Sequence, residues 1–343
     1  NDLYKIWNLN ANNDVVVAVI DTGVDLTHED LAESIFKNSK EIKNGIDDDG
    51  NGLIDDVSGY SWVSYSNNQL SENSTDDHGH GTHIAGIIAA KHNSVGIAGL
   101  HPSAKIMPLK VFNYLGKGKQ LEASLAIRYA VDMGADIINC SWGFYRKTTT
   151  LTSAINYALE HNVIVVAAVG NSGIDFPMYP ANFDHVIGVG SVNEIANQRE
   201  TYSNYGESLD FVISGTNIFS ANHNNSYSRL TGTSQSTAIL TGIIARLKAY
   251  DHRLNVADIT SILKRNTTQP LQKNNQLGHG TPKIDGLMAD FNIHTNSYSI
   301  SNSPHLNTAD SVANQLTSVM VVPNPITTAT AQFQVNSSTT GLA

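Results

Sequence analysis

The amino-acid sequence predicts an α/β fold built on one mostly parallel sheet with helices on both faces. Two patterns carry this reading. Runs rich in β-branched residues recur in Asp14 to Asp25, Lys105 to Phe112, Asp136 to Gly143, Val163 to Gly173 and Val186 to Val192. Unbroken apolar runs of this kind form strands buried on both faces of a parallel sheet. Between them lie stretches with helical spacing, from Ile84 onward, over Gln120 to Met133, over Leu151 to Glu160, and from Ala238 to Leu247. Strands and helices alternate, which describes one domain rather than two.

Composition narrows the function. The chain has 343 residues, 41% of them hydrophobic, and 26 glycines, enough for a large core with many tight turns. Its net charge is −10, with only 21 lysines and arginines and no basic cluster. Nucleic acid and anionic membranes are therefore poor partners for it, whereas an acidic balance suits calcium binding. No apolar run reaches the ~18 residues of a membrane span. Cys140 is the only cysteine, so there is no intrachain disulfide. The chain opens on Asn1 with no leader-like segment, as a processed product would.

Taken in order, β-branched residues run from Val15 to Ile20 and end in Asp21-Thr-Gly. A strand ending so delivers a carboxylate to the C-terminal sheet edge, where ligands bind in open α/β sheets, although Asp21 also fits a plain turn. The segment Asn44 to Asp56 carries Asp47, Asp49 and Asn51 in alternation, then Gly52. This is the start of a calcium loop, with a carbonyl expected from Leu53, closure by Asp55 or Asp56, and Ile54 anchoring the loop to the core. Ser58 stands where an EF-hand has its bidentate Glu, so the loop is not an ordinary EF-hand. An Asp/Asn/Gly turn cluster is the plainer alternative.

His78, His80 and His83 suggest a metal but lack the i, i+4 spacing of a helical zinc pair. His80, just before an apolar helix, fits a general base. The run from Val163 ends by presenting one amide, Asn171. Ser234 stands in Gly232-Thr-Ser before the apolar helix, which suits either a helix cap or a nucleophile beside outward-pointing N–H groups. A hydroxyl, an imidazole, a carboxylate and an amide donor are together the requirements of acyl transfer.

In these residues the chain resembles the subtilisin-like serine proteases. Val17-Ala-Val-Ile-Asp-Thr-Gly is similar to that family's Asp motif, His80-Gly-Thr-His-Ile-Ala-Gly to its His motif and Gly232-Thr-Ser to its Ser motif, in the family's order. The resemblance implies a three-layer α/β/α fold over residues 1–290 and a secreted, calcium-stabilised serine endopeptidase. It implies Ser234 as nucleophile, His80 as base, Asp21 as the carboxylate orienting it, and Asn171 with the Ser234 N–H at the oxyanion. It further implies that Gly116, Lys117, Gly118, Ser141, Trp142 and Gly143 pair with substrate as extra strands. Ala168, Gly170 and Met178 would line the pocket for the residue preceding the cleaved bond, and Phe112, Gln120 and Trp142 the neighbouring subsites. Asp30 and Asn93, with carbonyls of Lys91, Val95 and Ile97, match the family's strong calcium site.

The implied partners are polypeptide substrates and a propeptide or inhibitor, with the protein a monomer and no organic cofactor. The sequence departs from the family after the serine, where Gln235 and Ser236 stand in place of Met-Ala. A subtilase-fold binding module with impaired catalysis is the rival reading. Residues 291–318 read as a polar linker or surface-wrapping segment. Residues 319–343, with Val321-Val-Pro-Asn-Pro, resemble the opening of a C-terminal secretion-sorting domain of Bacteroidetes, which also implies a secreted or cell-surface bacterial protein.

Overall fold

Val16–Asp21 forms the strand β1 at the centre of the sheet, and its side chains alternate between two cores. Val17 and Val19 enter one core, Ala18 and Ile20 the other, because successive strand residues point to opposite faces. The structure is a computed structural model that describes residues 3–63, 72–268 and 272–291. After β1 come β2 (Tyr60–Ser61), α1 (His80–Ala89), β3 (Lys105–Lys110), α2 (Gln120–Asp132), β4 (Ile137–Cys140), α3 (Thr149–Glu160) and β5 (Ile164–Ala168). There follow β6 (Ile187–Asn193), β7 (Gln198–Arg199), β8 (Phe211–Ile213), β9 (Ile218–Asn222), β10 (Ser226–Leu230), α4 (Thr233–Tyr250), α5 (Val256–Arg265) and α6 (Ile284–Asp290).

The main sheet runs β2-β3-β1-β4-β5-β6-β7, with β8 also paired to β6. Among the described residues, only the short β6–β7 pair of this sheet is antiparallel. One core joins α1 and α4 to the sheet through Ile84, Ile88, Leu240 and Ile244; the other joins α2 and α3 through Ile127, Ala130, Leu151 and Ile155. This is the expected three-layer α/β/α arrangement. Each fully buried Ile or Leu contributes about 1.5–3 kcal/mol. Residues from α4 are buried almost all round, and its hydroxyls are satisfied internally: Thr237 Oγ1 donates to the Thr233 carbonyl and Thr241 Oγ1 to Asn139 Oδ1.

Parallel register brings Asp21 beside Lys110 at the end of β3, and Cys140 beside Ala167. The C-terminal ends of the central strands therefore share one edge. The stretch Tyr202 to Asn225, turn-rich in sequence, contains β8 and β9, and β9 pairs antiparallel with β10. Ser and Asn conceal these strands, and Asn224 and Asn225 take positive φ of 60° and 50° in the turn, a backbone that Asn tolerates. Among the described residues no helix is long and apolar enough to cross a membrane. The linker and sorting-domain readings fall on residues outside those described, apart from Phe291.

Candidate active site

Asp21 reaches the sheet edge fully buried, and its Oδ1 lies 2.7 Å from His80 Nδ1 while accepting the Thr22 N–H at 2.7 Å. His80 is itself the first residue of α1, rather than preceding it. The cap before it is Gly79, at φ 100°, where a Cβ would collide with Asn222 Oδ1 and meet His223. Only glycine fits both that backbone and that space.

A residue the sequence reading passed over fixes the start of α1. Asp76, 5% exposed, accepts through Oδ1 from Thr22 Oγ1, the His78 N–H and the Gly79 N–H, each at 2.9 Å. Its Oδ2 accepts from the Thr82 N–H at 2.9 Å and Thr82 Oγ1 at 2.6 Å. Thr22 Oγ1 in turn accepts the Gly81 N–H at 2.9 Å. The strand carrying Asp21 and the helix carrying His80 are thus tied through one carboxylate, placed where a helix N-terminus favours negative charge. A carboxylate four residues ahead of His80 was the signal available in the sequence.

Burial disfavours the His80 imidazolium, but the Asp21 charge, its hydrogen bond and the Asp76 charge outweigh it, raising the His80 pKa. His83 is committed elsewhere. Its Nε2 lies 3.0 Å from the Ile218 carbonyl, and burial, aided by His80, pushes its pKa down to about 3. His78 is also lowered, chiefly by burial.

The nucleophile candidate sits one residue inside a helix. Gly232 is the N-cap of α4 and Thr233 its first residue, so Ser234 is not a cap. Ser234 is 3% exposed; its hydroxyl donates to the Ser141 carbonyl at 2.8 Å, while Ser141 Oγ donates to the Ser234 carbonyl at 3.0 Å. This exchange fastens the start of α4 to the chain leaving β4, the neighbour of β1. Trp142 Nε1 donates to the Ile20 carbonyl at 2.7 Å and ties the same segment to β1. Asn171 Oδ1 accepts the Thr233 N–H at 2.8 Å, which fixes the side chain and leaves its NH2 end to serve as a donor. First-turn N–H groups such as that of Ser234 have no carbonyl to bond within the helix.

Cys140 is fully buried, and desolvation with the Asp21 charge pushes its thiol pKa well up. It is a filler of the core. Met178 packs between two glycines: a Cβ on Gly143 would lie 3.1 Å from Met178 Cβ and Cε, and one on Gly170 3.2 Å from Met178 Cγ. Phe112 and Trp142 meet edge-on at 5.7 Å, both buried, and a Cβ on Gly118 would strike the Val111 carbonyl. Lys117 is exposed in a turn closed on Asn113. Gln120 donates to the Arg146 carbonyl at 2.8 Å and accepts from Thr148 Oγ1 at 2.5 Å, so its amide is held at both ends. Ala168 is buried at the end of β5.

Among the described residues, two places offer oxygen donors to a cation. Asp30 is buried; Oδ1 accepts from Asn93 Nδ2 at 2.9 Å, and Oδ2 from the Ile97 N–H at 2.9 Å and Tyr227 OH at 2.8 Å. Asn93 Oδ1 accepts the Val95 N–H at 2.9 Å, while the Lys91 N–H donates to the Asp30 carbonyl. The structure thus brings Asp30, Asn93 and the turn from Lys91 to Ile97 together. In the acidic loop, oxygens of Glu41, Asp47 and Asp49 all lie within 4.8 Å of one another. Asp55 accepts from the Asn44 and Gly45 N–H groups at 2.9 Å, and Asp56, fully buried, accepts from Tyr129 OH at 2.5 Å and Asn51 Nδ2 at 2.9 Å. Asn51 Oδ1 accepts the Leu53 N–H at 2.8 Å. Ile54 is 51% exposed and does not anchor the loop; half-buried Leu53 packs on the core instead, and Asp56 grips α2 through Tyr129.

The profile of the Subtilase family matches residues 12–280. The chain is 37% identical over 232 residues to the "Thermophilic serine proteinase" of Bacillus sp. (strain AK1), covering 67% of this chain and 51% of that protein. It is 36% identical over 247 residues to the "Minor extracellular protease Epr" of Bacillus subtilis (strain 168), covering 70% and 37%. It is 35% identical over 264 residues to the "Major intracellular serine protease" of the same organism, covering 74% and 76%. The match thus spans about half or less of the first two relatives. The chain belongs to the subtilase family.

Proposed function

We propose that the protein is a serine endopeptidase that cleaves polypeptides through an acyl-enzyme. The observation that carries this reading is the buried 2.7 Å contact between Asp21 and His80 on the sheet edge where the helix bearing Ser234 begins. In the proposed reaction the Ser234 hydroxyl turns from the Ser141 carbonyl, attacks the scissile carbonyl carbon and passes its proton to His80 Nε2. Asp21 holds the Nδ1 proton and stabilises the imidazolium. The Asn171 NH2 and the Ser234 N–H hold the negative oxygen, a donor pair whose loss in such enzymes costs about 10²–10³ in kcat per donor. His80 returns the proton to the leaving amine, and water activated by the same imidazole then hydrolyses the ester.

Met178 between Gly143 and Gly170 supports a shallow pocket for the residue before the cleaved bond, favouring small side chains over Phe. The glycine-bearing segments 116–118 and 141–143 suit pairing with substrate as added strands. Calcium would be held by Asp30 and Asn93 with carbonyls of the Lys91 to Ile97 turn, and by the acidic loop; when bound it supplies charge compensation and rigidity. A secreted or cell-surface monomer that meets a propeptide or inhibitor completes the reading; named relatives include both an extracellular and an intracellular protease.

The test is fluorophosphonate labelling with peptide hydrolysis. The protein is expected to label on Ser234, and Ser234→Ala to lose labelling and about 10⁶-fold in kcat. The rival binding-module reading draws on the Ser234 hydroxyl resting against Ser141. An intact chain with an open site that neither labels nor hydrolyses peptides would decide for that rival.

A further inference from the structure

We infer that Glu41 is the closing ligand of a calcium site formed with Asp47 and Asp49, taking the place that Asp55 or Asp56 would fill in a loop closed from its C-terminal end. The inference deepens the calcium reading of the acidic loop and rests on it, but it is independent of catalysis.

The loop backbone folds back on its own carboxylates. Asp47 Oδ1 accepts from the Gly50 N–H at 2.8 Å and the Asn51 N–H at 3.1 Å, and Oδ2 from the Gly52 N–H at 2.9 Å. Asp49 accepts from the Asn51 N–H at 3.1 Å and from Asn38 Nδ2 at 3.0 Å. Those bonds shape the turn; they do not by themselves point to an ion.

Glu41 does. It lies six residues before Asp47 and is only 5% exposed, beneath a loop that is otherwise largely open to water. Its Oε1 accepts the Asp48 and Asp49 N–H groups at 2.7 and 2.9 Å, which locks the carboxylate against the turn. Its Oε2 is buried and has no hydrogen-bond partner. A buried carboxylate oxygen without a donor, set beside two further carboxylates, is costly unless a cation completes it. One carboxylate oxygen from each of Glu41, Asp47 and Asp49 lies within 4.8 Å of the others, a span that fits the roughly 4.6–5.2 Å separating opposite ligands of calcium at its usual bond lengths. All three donors are hard oxygens, as calcium requires.

The C-terminal acids stand outside this group of oxygens and hold other parts of the loop. Asp55 caps the turn at Asn44 and Gly45, and Asp56 is held by Tyr129, Asn51 and Asn38 in the wall of the core. This explains how the loop can lack an acid at the position of Ser58: its closing carboxylate arrives from the N-terminal side. Through Asp56 and Tyr129 the ion's loop is joined to α2, and the chain then runs directly into β2, the edge strand beside β3.

The test uses the full chain carrying Ser234→Ala, which removes self-cleavage. Calcium is titrated by calorimetry, and amide exchange is followed over residues 38–63 with and without calcium. Glu41→Gln is expected to weaken one binding event at least tenfold and to abolish the calcium-dependent protection of 38–63, whereas Asp55→Asn leaves that affinity within about threefold. Asp47→Asn, at a half-exposed residue, is expected to reproduce the Glu41→Gln loss and serves if the buried variant does not fold. Unchanged affinity and protection in Glu41→Gln and Asp47→Asn would overturn this ligand set while leaving calcium binding elsewhere intact. No calcium binding at all would overturn both, and neither result touches the labelling of Ser234 in the unsubstituted protein.

Discussion

His80 is the residue whose chemistry depends most on its surroundings. Burial opposes its protonation, while Asp21, by charge and hydrogen bond, and Asp76 raise its pKa. The raised value has opposite consequences for stability and rate. The Asp21–His80 interaction stabilises the fold fully below the ordinary histidine pKa of about 6.5 and is lost as pH rises through the raised one. A general base works only when neutral, so kcat/KM is expected to climb with pH through a value above about 6.5. Asp21→Asn is expected to move that acid limb downward, because burial is then less opposed, and to cost about 10⁴-fold in kcat. A pH–rate profile of the two proteins checks both. At the pocket, Met178→Gly should raise kcat/KM for Phe relative to Ala by about 10–100-fold, read from a panel of chromogenic peptides.

The start of α1 is the element on which the site depends. Asp76→Ala strands the donors of Thr22, His78, Gly79 and Thr82 around it and is expected to cost about 3 kcal/mol of unfolding free energy, with a fall in kcat larger than any change in KM. Denaturant unfolding and steady-state kinetics measure the two. At this scale the sequence is legible where periodicity is strong. β1, α2 and β6 stand within a few residues of their expected limits because unbroken apolar runs and 3.6-residue spacing leave little choice. Asp21, His80, Asn171 and Ser234 were legible because each closes or opens such a run. Asp76 and Glu41 carry no periodic signal, Asp76 being marked only by its place four residues ahead of His80, since their roles come from folded-back contacts with backbone N–H groups. The strands β8 to β10 were hidden in polar residues, whose strand pairing is tertiary in origin.

For the whole molecule, two cores divided by one sheet carry the stability, and calcium is expected to add to it. At free calcium about 100-fold above Kd, binding to the native state alone stabilises by about 2.7 kcal/mol. A melting temperature roughly 3–5 °C higher than in chelator should follow, read by calorimetry in the Ser234→Ala protein. The β9–β10 hairpin has a consequence of another kind. Its turn reaches back to the segment after β1, where the Asn225 N–H donates to Asp25 Oδ2 across 200 residues of sequence, and the Ser226 carbonyl meets His28 Nε2. A ribosome adding 5–20 residues per second needs roughly 10–40 s to make that stretch. In the proposed reaction the acid and the base are therefore synthesised well before the hydroxyl they serve, because Ser234 follows every described strand in the chain.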